Sequence, residues 1–278
     1  MPTEPGEIDL PVGVFLLLRD LIRDRVGTWF EDDKRDLLQA KLSERVRDSG
    51  AGSFLSYYYL LKYGPGSEAE WDSLTDALSV QETYFWRELE QVRALVDVLL
   101  PAHAAAGRGP VRIWSAACAT GEEPLSIAIA LREADWFTKA EIEIWATDAS
   151  PGALEKARRG VYRERSFRAL PAALRDKYFT PVPGGWKVAP EIQSAVRYSQ
   201  ANLLDPAEIA GPAAAPFIFC RNVFIYFSSA TVARVVHQFA TRIPRPGYLF
   251  VGVAESLLRT GAEFELEEVG GAFVYVRR

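Results

Sequence analysis

From Val111 onward, apolar runs of strand length alternate with amphipathic stretches of helix length, and that alternation leaves few folds open. "VRIWSAAC", "EIEIWATDAS", "APFIFCRN" and "GYLFVGVAES" have strand character. "EPLSIAIALREA", "PGALEKARRG" and "SATVARVVHQFATRI" have helical spacing. Strands separated by helices need crossover connections, so the pattern predicts a parallel sheet with helices on its faces. The tail "FELEEVGGAFVYVRR" predicts a closing hairpin through Gly270-Gly271. Residues 161–197 break the alternation. There "YFTPVPGGWKVAP" predicts a hairpin at Gly184-Gly185, within a small inserted antiparallel piece.

The front of the chain has a different rhythm. "PVGVFLLLRDLIRDRVG" places Val14, Leu17, Leu18, Leu21 and Ile22 at helical spacing, with Gly27 as a stop. Three further helices are predicted before Leu78, the last capped by Ser67 with Glu70 three residues on. The expected organisation is a helical domain over 1–78, a linker and cofactor-contacting segment over 79–110, and the α/β domain over 111–278.

The formal net charge of −5 argues against a duplex nucleic acid partner, which wants a basic face. Cys118 and Cys220 each end an apolar run and are expected to be buried small hydrophobes. The start has no basic region leading into an apolar core, and no apolar run reaches the roughly 18 residues of a membrane span. The expectation is a cytoplasmic protein. His103 and His237 are expected in solvent-facing or loop positions, and no His/Cys spacing suggests a metal.

In an open α/β sheet, ligands bind beyond the carboxyl ends of the strands. Two strand ends here are acidic: Glu122 and Glu123 follow the first, and Asp148 ends the second. An acid ending the second strand suits ribose hydroxyls. The first turn, "ACATGEEP", argues against a dinucleotide, because it has one glycine where a pyrophosphate needs several and its acids repel phosphate. A ligand with a ribose, an amine and a positive centre but no phosphate fits better. S-adenosylmethionine is such a ligand, with its amino group toward Glu123 and its ribose toward Asp148.

"RIWSAACATGEEPLSIAIAL", "ATDASPGALEKARRGVYR", "NLLD" and "FIFCRNVFIYF", preceded by "TYFWRE", resemble the chemotaxis receptor methyltransferase family, CheR. The resemblance runs through nearly the whole chain in the family's order. It implies a Rossmann-like S-adenosylmethionine-dependent methyltransferase sheet, an N-terminal all-helical domain and a small inserted antiparallel β-subdomain. It also implies methyl transfer to glutamate side chains on the cytoplasmic helices of a methyl-accepting receptor, leaving S-adenosylhomocysteine. Carried over by position, the cofactor contacts fall on Gln81, Thr83, Arg87, Ala117, Glu123, Asp148, Asn202, Leu203, Arg221 and Asn222. Arg87 and Tyr226 take the catalytic positions, with Tyr226 beside the transferring methyl. Lys34, Arg35, Lys41 and Arg45 on a front helix fall where the family reads the acidic receptor helices. Two positions depart from the family: Gln81 replaces an asparagine and Trp86 a phenylalanine.

These residues also have ordinary explanations. Glu122 and Glu123 complement a helix N-terminus, and Glu122 is the one expected in a structural role. Asp148 could cap the following helix. Interleaved charges such as those around Lys34–Arg47 form a solvated face in most proteins. The short loop of "TPVPGGWKV" predicts no strong binding of a receptor tail by strand addition. A monomer is expected. The alternative reading is a cofactor-binding adaptor with little or no transfer. A nucleic acid methyltransferase is disfavoured, because "NVFIYF" is only superficially similar to an N-P-P-Y loop and lacks its prolines.

Overall fold

The computed structural model describes residues 8–258 and 263–278. The chain divides into two units: one runs up to Val80 and includes Tyr226–Thr231, and the other holds the rest.

The first unit is built from α1 (Val12–Val26), α2 (Arg35–Asp48), α3 (Phe54–Tyr63) and α4 (Ser67–Leu78). Each buries one stripe: Phe15, Leu18 and Ile22 from α1, Leu38, Leu42 and Val46 from α2, Trp71, Leu74 and Leu78 from α4. These i, i+3/i+4 spacings are what one core-facing helix face requires. The α1 face is turned from the expected one, with Phe15 buried and Leu17 exposed. α1 stops at Gly27, which takes φ 86°. A Cβ there would also strike the Phe227 ring at 2.8 Å. Trp29 N donates to Tyr226 O (2.8 Å), which ties the 226–231 segment to this unit. α3 is capped by Ser53, whose hydroxyl accepts from Ser56 N. The predicted cap at Ser67 does not form: Gly66 holds the cap position in the left-handed region and Ser67 is the first helical residue. Glu70 is drawn instead to Arg45 and Tyr57.

In the second unit, a run of α5 (Leu89–Arg93), a π segment (Ala94–Leu99) and α6 (Leu100–Ala105) fills most of the stretch expected to be a linker. The strands are β1 (Val111–Ala116), β2 (Ile142–Asp148), β3 (Val161–Tyr162), β4 (Phe179–Val182), β5 (Gly185–Val188), β6 (Val196–Gln200), β7 (Phe217–Phe219), β8 (Gly247–Phe250), β9 (Glu265–Val269) and β10 (Ala272–Arg277). The helices among them are α7 (Glu122–Glu133), α8 (Trp136–Lys139), α9 (Pro151–Arg159), α10 (Ala172–Tyr178), α11 (Pro190–Gln193) and, from Val232 on, α12 (Ser229–Arg242). The main sheet has the order β6-β2-β1-β7-β8-β10-β9. β10 runs antiparallel to both its neighbours; the other pairs are parallel. The closing β9–β10 hairpin turns at Gly270-Gly271.

The insert is a three-stranded antiparallel sheet, β3-β5-β4. Its hairpin turns at Pro183-Gly184, and Gly185 already belongs to β5. Val196, expected inside the insert, begins β6 of the main sheet. Every residue of α7 from Pro124 to Ile129 is buried, the packing expected of a helix against a parallel sheet. Both cysteines are buried and free. His103 contradicts its expected exposed setting: it is buried on α6 with its ring 5.5 Å from that of Phe217, and burial lowers its pKa. His237 is exposed on α12 and faces Glu263.

Candidate cofactor and methyl-transfer site

Because β6, β2, β1, β7 and β8 are parallel, their carboxyl ends share one edge of the sheet. The sequence places a candidate residue just beyond almost every one: Ala117 after β1, Asp148 at the end of β2, Asn202 after β6, Arg221 and Asn222 after β7.

The β1–α7 turn is wound tightly. Ala117, Ala119 and Gly121 take φ 61°, 48° and 95°. Two alanines in the left-handed region cost of order 1–3 kcal/mol each and persist only where the surroundings over-determine them. Here Cys118 N donates to Thr147 O (2.8 Å), and Ala119 N to Asp148 Oδ2 (2.8 Å). Asp148 Oδ1 accepts from Ser150 N (2.9 Å), while the helix cap of α9 is Ser150, whose hydroxyl accepts from Ala153 N. Asp148 therefore fastens the first turn to the second. Gly121 admits no side chain: a Cβ would meet Ala157 Cβ at 2.9 Å and the hydroxyls of Tyr162 and Tyr198 at 3.0 and 3.1 Å.

The two adjacent acids have different duties. Glu122 is buried and accepts from Thr120 Oγ1 (2.6 Å) and Ser166 Oγ (3.0 Å). Burial pushes its carboxyl up, against the pull of those hydroxyls. Glu123 accepts from Ser115 Oγ (2.7 Å) and from Arg221 Nε (2.6 Å). Arg221, with a side chain only 3% exposed, also donates to Gln91 Oε1 (3.2 Å) and to the carbonyls of Glu88 (3.3 Å) and Arg87 (2.9 Å). Glu123 and Arg221 thus face each other, and Arg221 in turn grips the backbone on which Arg87 sits. Trp86 and Glu88, flanking Arg87, take φ 65° and 50°. Arg87 Nη1 donates to Glu82 O (3.0 Å), and its guanidinium lies 5.7 Å from the Tyr84 ring centre. Gln81 accepts from Lys156 Nζ (2.7 Å), and Thr83 is half-buried beside Tyr84.

At β6 the register sets Gln200 opposite Asp148. Two residues on, Asn202 Oδ1 accepts from Leu204 N (2.9 Å), its backbone N donates to Glu208 (2.6 Å), and Leu203 is buried. Asn222 takes φ 58°. Its N–H donates to Glu255 Oε2 (2.7 Å), which also accepts from Gly252 N (2.7 Å), while Glu255 Oε1 accepts from Ile225 N (3.2 Å). Burial raises the Glu255 carboxyl and the backbone N–H donors lower it, with burial the larger effect. A Cβ at Gly252 would overlap the Asn222 amide, so this close approach requires glycine. Sequence reasoning missed Glu255. The signal was available, since Glu255 follows a strand's carboxyl end in "VGVAES" just as Asp148 ends another. Glu88, Gln91 and Glu255 also line a cleft of about 360 Å³ beside Val253 and Phe273.

Tyr226 lies in the segment grouped with the helical unit and is 37% exposed. The predicted receptor-reading bases are mostly engaged within that unit. Lys34 meets Asp33 (2.9 Å) and Arg35 meets Asp36 (3.2 Å). Lys41 donates to Leu78 O (3.4 Å), and Arg45 grips Glu70 with two donors (3.1 and 2.7 Å).

Among the described residues no group of His, Cys, Asp and Glu could hold a metal, and no helix is long and apolar enough to cross a membrane. The strand-end carboxylate of Asp148, the acidic first turn and the absence of a glycine-rich phosphate cradle fit a cationic nucleoside ligand.

Residues 81–271 match the family described as CheR methyltransferase, SAM binding domain, and residues 14–79 match CheR methyltransferase, all-alpha domain. The chain is 35% identical over 257 residues to chemotaxis protein methyltransferase 2 of Vibrio cholerae, covering 91% of this chain and 88% of that one. It is 34% identical to the chemotaxis protein methyltransferase of Escherichia coli, covering 91% and 87%. It is 35% identical to the probable biofilm formation methyltransferase WspC of Pseudomonas aeruginosa, covering 92% of this chain and 60% of that one. With its helical front, its Rossmann-like sheet and its acidic strand ends in the family's order, the chain belongs to the CheR methyltransferases and uses S-adenosylmethionine as its methyl-donating cofactor.

Proposed function

We propose that the chain methylates glutamate side-chain carboxylates on the cytoplasmic helices of a chemoreceptor or related signalling receptor, giving glutamate methyl esters. The observation that carries this reading is the presentation of Arg87. It stands between two left-handed residues, and Arg221 holds its carbonyl. A guanidinium stays charged and binds carboxylates as a fork.

S-adenosylmethionine supplies an activated methyl on a sulfonium centre. Gln81, Thr83, Ala117, Asp148, Asn202, Leu203 and Asn222 are the residues proposed to hold it, with Asp148 serving the ribose. Glu123 is proposed for the amino group; each of its oxygens keeps lone-pair capacity beyond the bonds to Ser115 and Arg221. Arg221 acts by positioning Glu123 and Arg87. Arg87 binds a carboxylate of the cofactor and shares in orienting the acceptor. Tyr226 hydrogen-bonds the acceptor.

An acceptor glutamate has a pKa of about 4.3 and is already ionised at neutral pH. No general base is needed, and the protein's work is alignment and exclusion of water. Relatives named for chemotaxis support a receptor acceptor, and the WspC relatives extend it to receptors with another output.

The test is transfer of labelled methyl to purified receptor cytoplasmic fragments. The label should leave as methanol in mild base, as an ester does, and disappear when the acceptor glutamates become glutamine. Tyr226→Phe should lower kcat while S-adenosylhomocysteine still binds. Base-stable label, or label on DNA or RNA instead, would refute the reading; cofactor binding without transfer to any fragment would favour the adaptor.

A further inference from the structure

Between Lys156 and Arg168 the chain carries six cations, Lys156, Arg158, Arg159, Arg163, Arg165 and Arg168, against the single carboxylate of Glu164. All six are exposed. The whole chain has a formal net charge of −5, so this arm is opposite in sign to the molecule that bears it. Glu164 is engaged by Arg175 (3.1 Å). Lys156 and Arg158 donate to the neutral acceptors Gln81 Oε1 and Tyr198 O. Arg168 meets Glu82 (2.6 Å). The side chains of Arg159, Arg163 and Arg165 form no hydrogen bond or ion pair among the described residues. The bases of α2 differ in part, since Arg35 and Arg45 already face an acid.

A run of bases is in most proteins a solvated face. This one is fixed to the site. Tyr162 OH donates to Thr120 O (2.9 Å) in the first turn. Ser166 Oγ donates to Glu122, and Ser166 O accepts from Phe85 N (2.9 Å). The arm is therefore bonded both to the cofactor turn and to the segment carrying Thr83 and Arg87. Arg168 lies 3.7 Å from the Tyr84 ring centre, and Arg87 approaches the same ring, so the cationic row continues to the proposed catalytic arginine.

We propose that the arm from Lys156 to Arg168 is a docking surface for the acidic face of the acceptor helix. This rests on the reading of the acceptor as a glutamate-bearing receptor helix. Acids at i and i+4 on a helix lie about 5–6 Å apart, a spacing that a short row of arginines can follow. A long polyanion fits worse, because beyond the arm the chain is net negative and repels it.

The test uses the full chain and a synthetic amphipathic helix with glutamates at i, i+4 and i+7, beside its glutamine twin, with binding read by fluorescence anisotropy. Wild type should bind the acidic peptide, more weakly in higher salt, and the twin poorly. Arg159→Glu/Arg163→Glu/Arg165→Glu should weaken binding by roughly tenfold or more, and the triple lysine variant by less than about threefold. S-adenosylhomocysteine should bind all three proteins alike. Unchanged peptide binding by the reversed variant would overturn the proposal. So would no binding of the acidic peptide by wild type, or arginine-dependent binding of short duplex DNA or phosphatidylglycerol vesicles in its place. Arginine-dependent peptide binding without methyl transfer to any receptor fragment would sink the acceptor reading and leave the docking surface standing. Receptor methylation unaffected by the reversal would do the opposite.

Discussion

Replacing Arg221 by methionine tests the arrangement around Glu123 most directly. The guanidinium is nearly fully buried and donates to Glu123, to Gln91 and to the carbonyls of Arg87 and Glu88. Methionine approximates its length and apolar stem but takes the cation from Glu88, 3.8 Å away, and above all strands the largely buried Glu123 carboxylate that bonds it directly. Breaking a buried pair from one side costs about 3–5 kcal/mol, much of it the penalty of the stranded charge. Arg221→Met/Glu123→Gln removes that charge as well. The double variant should recover about 2 kcal/mol or more relative to the single one, the remaining deficit coming from the acceptors that Arg221 leaves behind. Urea unfolding of the wild type, both single variants and the double variant gives the coupling energy. Calorimetric titration of S-adenosylhomocysteine should show the affinity falling with Arg221→Met, because the carbonyl of Arg87 loses its holder. A loss below about 1 kcal/mol for Arg221→Met, or no recovery in the double variant, would refute the claim that this pair is buried and mutually dependent.

Three further outcomes are expected. Gly121→Ala should destabilise the chain by about 1–3 kcal/mol and weaken S-adenosylhomocysteine binding, because the new Cβ meets Ala157 and two tyrosine hydroxyls at a residue with φ 95°; chemical denaturation and calorimetry check both. Glu122→Gln reports on pH. Burial raises the folded-state pKa of Glu122, so its contribution to stability is largest at acid pH and is lost as pH rises through that raised value. The melting temperature of the glutamine variant should therefore gain on wild type as pH rises above the ordinary glutamate value of about 4.3, and an unchanged gap would refute the assignment. A peptide matching a receptor's C-terminal tail should give no measurable calorimetric binding to the β4–β5 hairpin, whose turn is only Pro183-Gly184.

The strand–helix alternation in the sequence corresponds to β1, β2, β7 and β8 with their intervening helices, because β1, β7 and β8 are buried along most of their length and read as apolar runs, while β2 carries alternating isoleucines before its buried end. What it did not locate was β6. "VRYSQ" is exposed along most of its length at the sheet's edge and carries little hydrophobic signal. The cap at Ser67 failed for a tertiary reason: Arg45 and Tyr57 draw Glu70 away from the reciprocal bond that a capping box needs. His103 was misjudged because its neighbours in sequence, Pro101, Ala102 and Ala104 to Ala106, are small and mark no buried face, while its surroundings in space include β7. Glu122, Glu123 and Asp148 could be named from sequence because each stands at a strand end, whereas Ala117, Asn202, Arg221 and Asn222 came only from the family resemblance. Their partners could not, because Arg221 finds Glu123 across a separation of 98 residues.

That separation explains why two acids sit where a strand hands over to a helix. Read locally, Glu122 and Glu123 complement a helix N-terminus. In the fold, Glu122 turns to the hydroxyls of Thr120 and Ser166, and so ties the turn to the inserted subdomain. Glu123 turns to Arg221, and so ties the turn to the backbone of Arg87. Asp148 adds the third tie, through Ala119. Three carboxylates hold in place a turn that two left-handed alanines would otherwise make costly. An acid-lined turn of this kind cannot cradle a phosphate. It suits the proposed ligand, which brings a ribose and positive charge, and through Arg221 its Glu123 fixes the backbone of the arginine proposed to share that ligand.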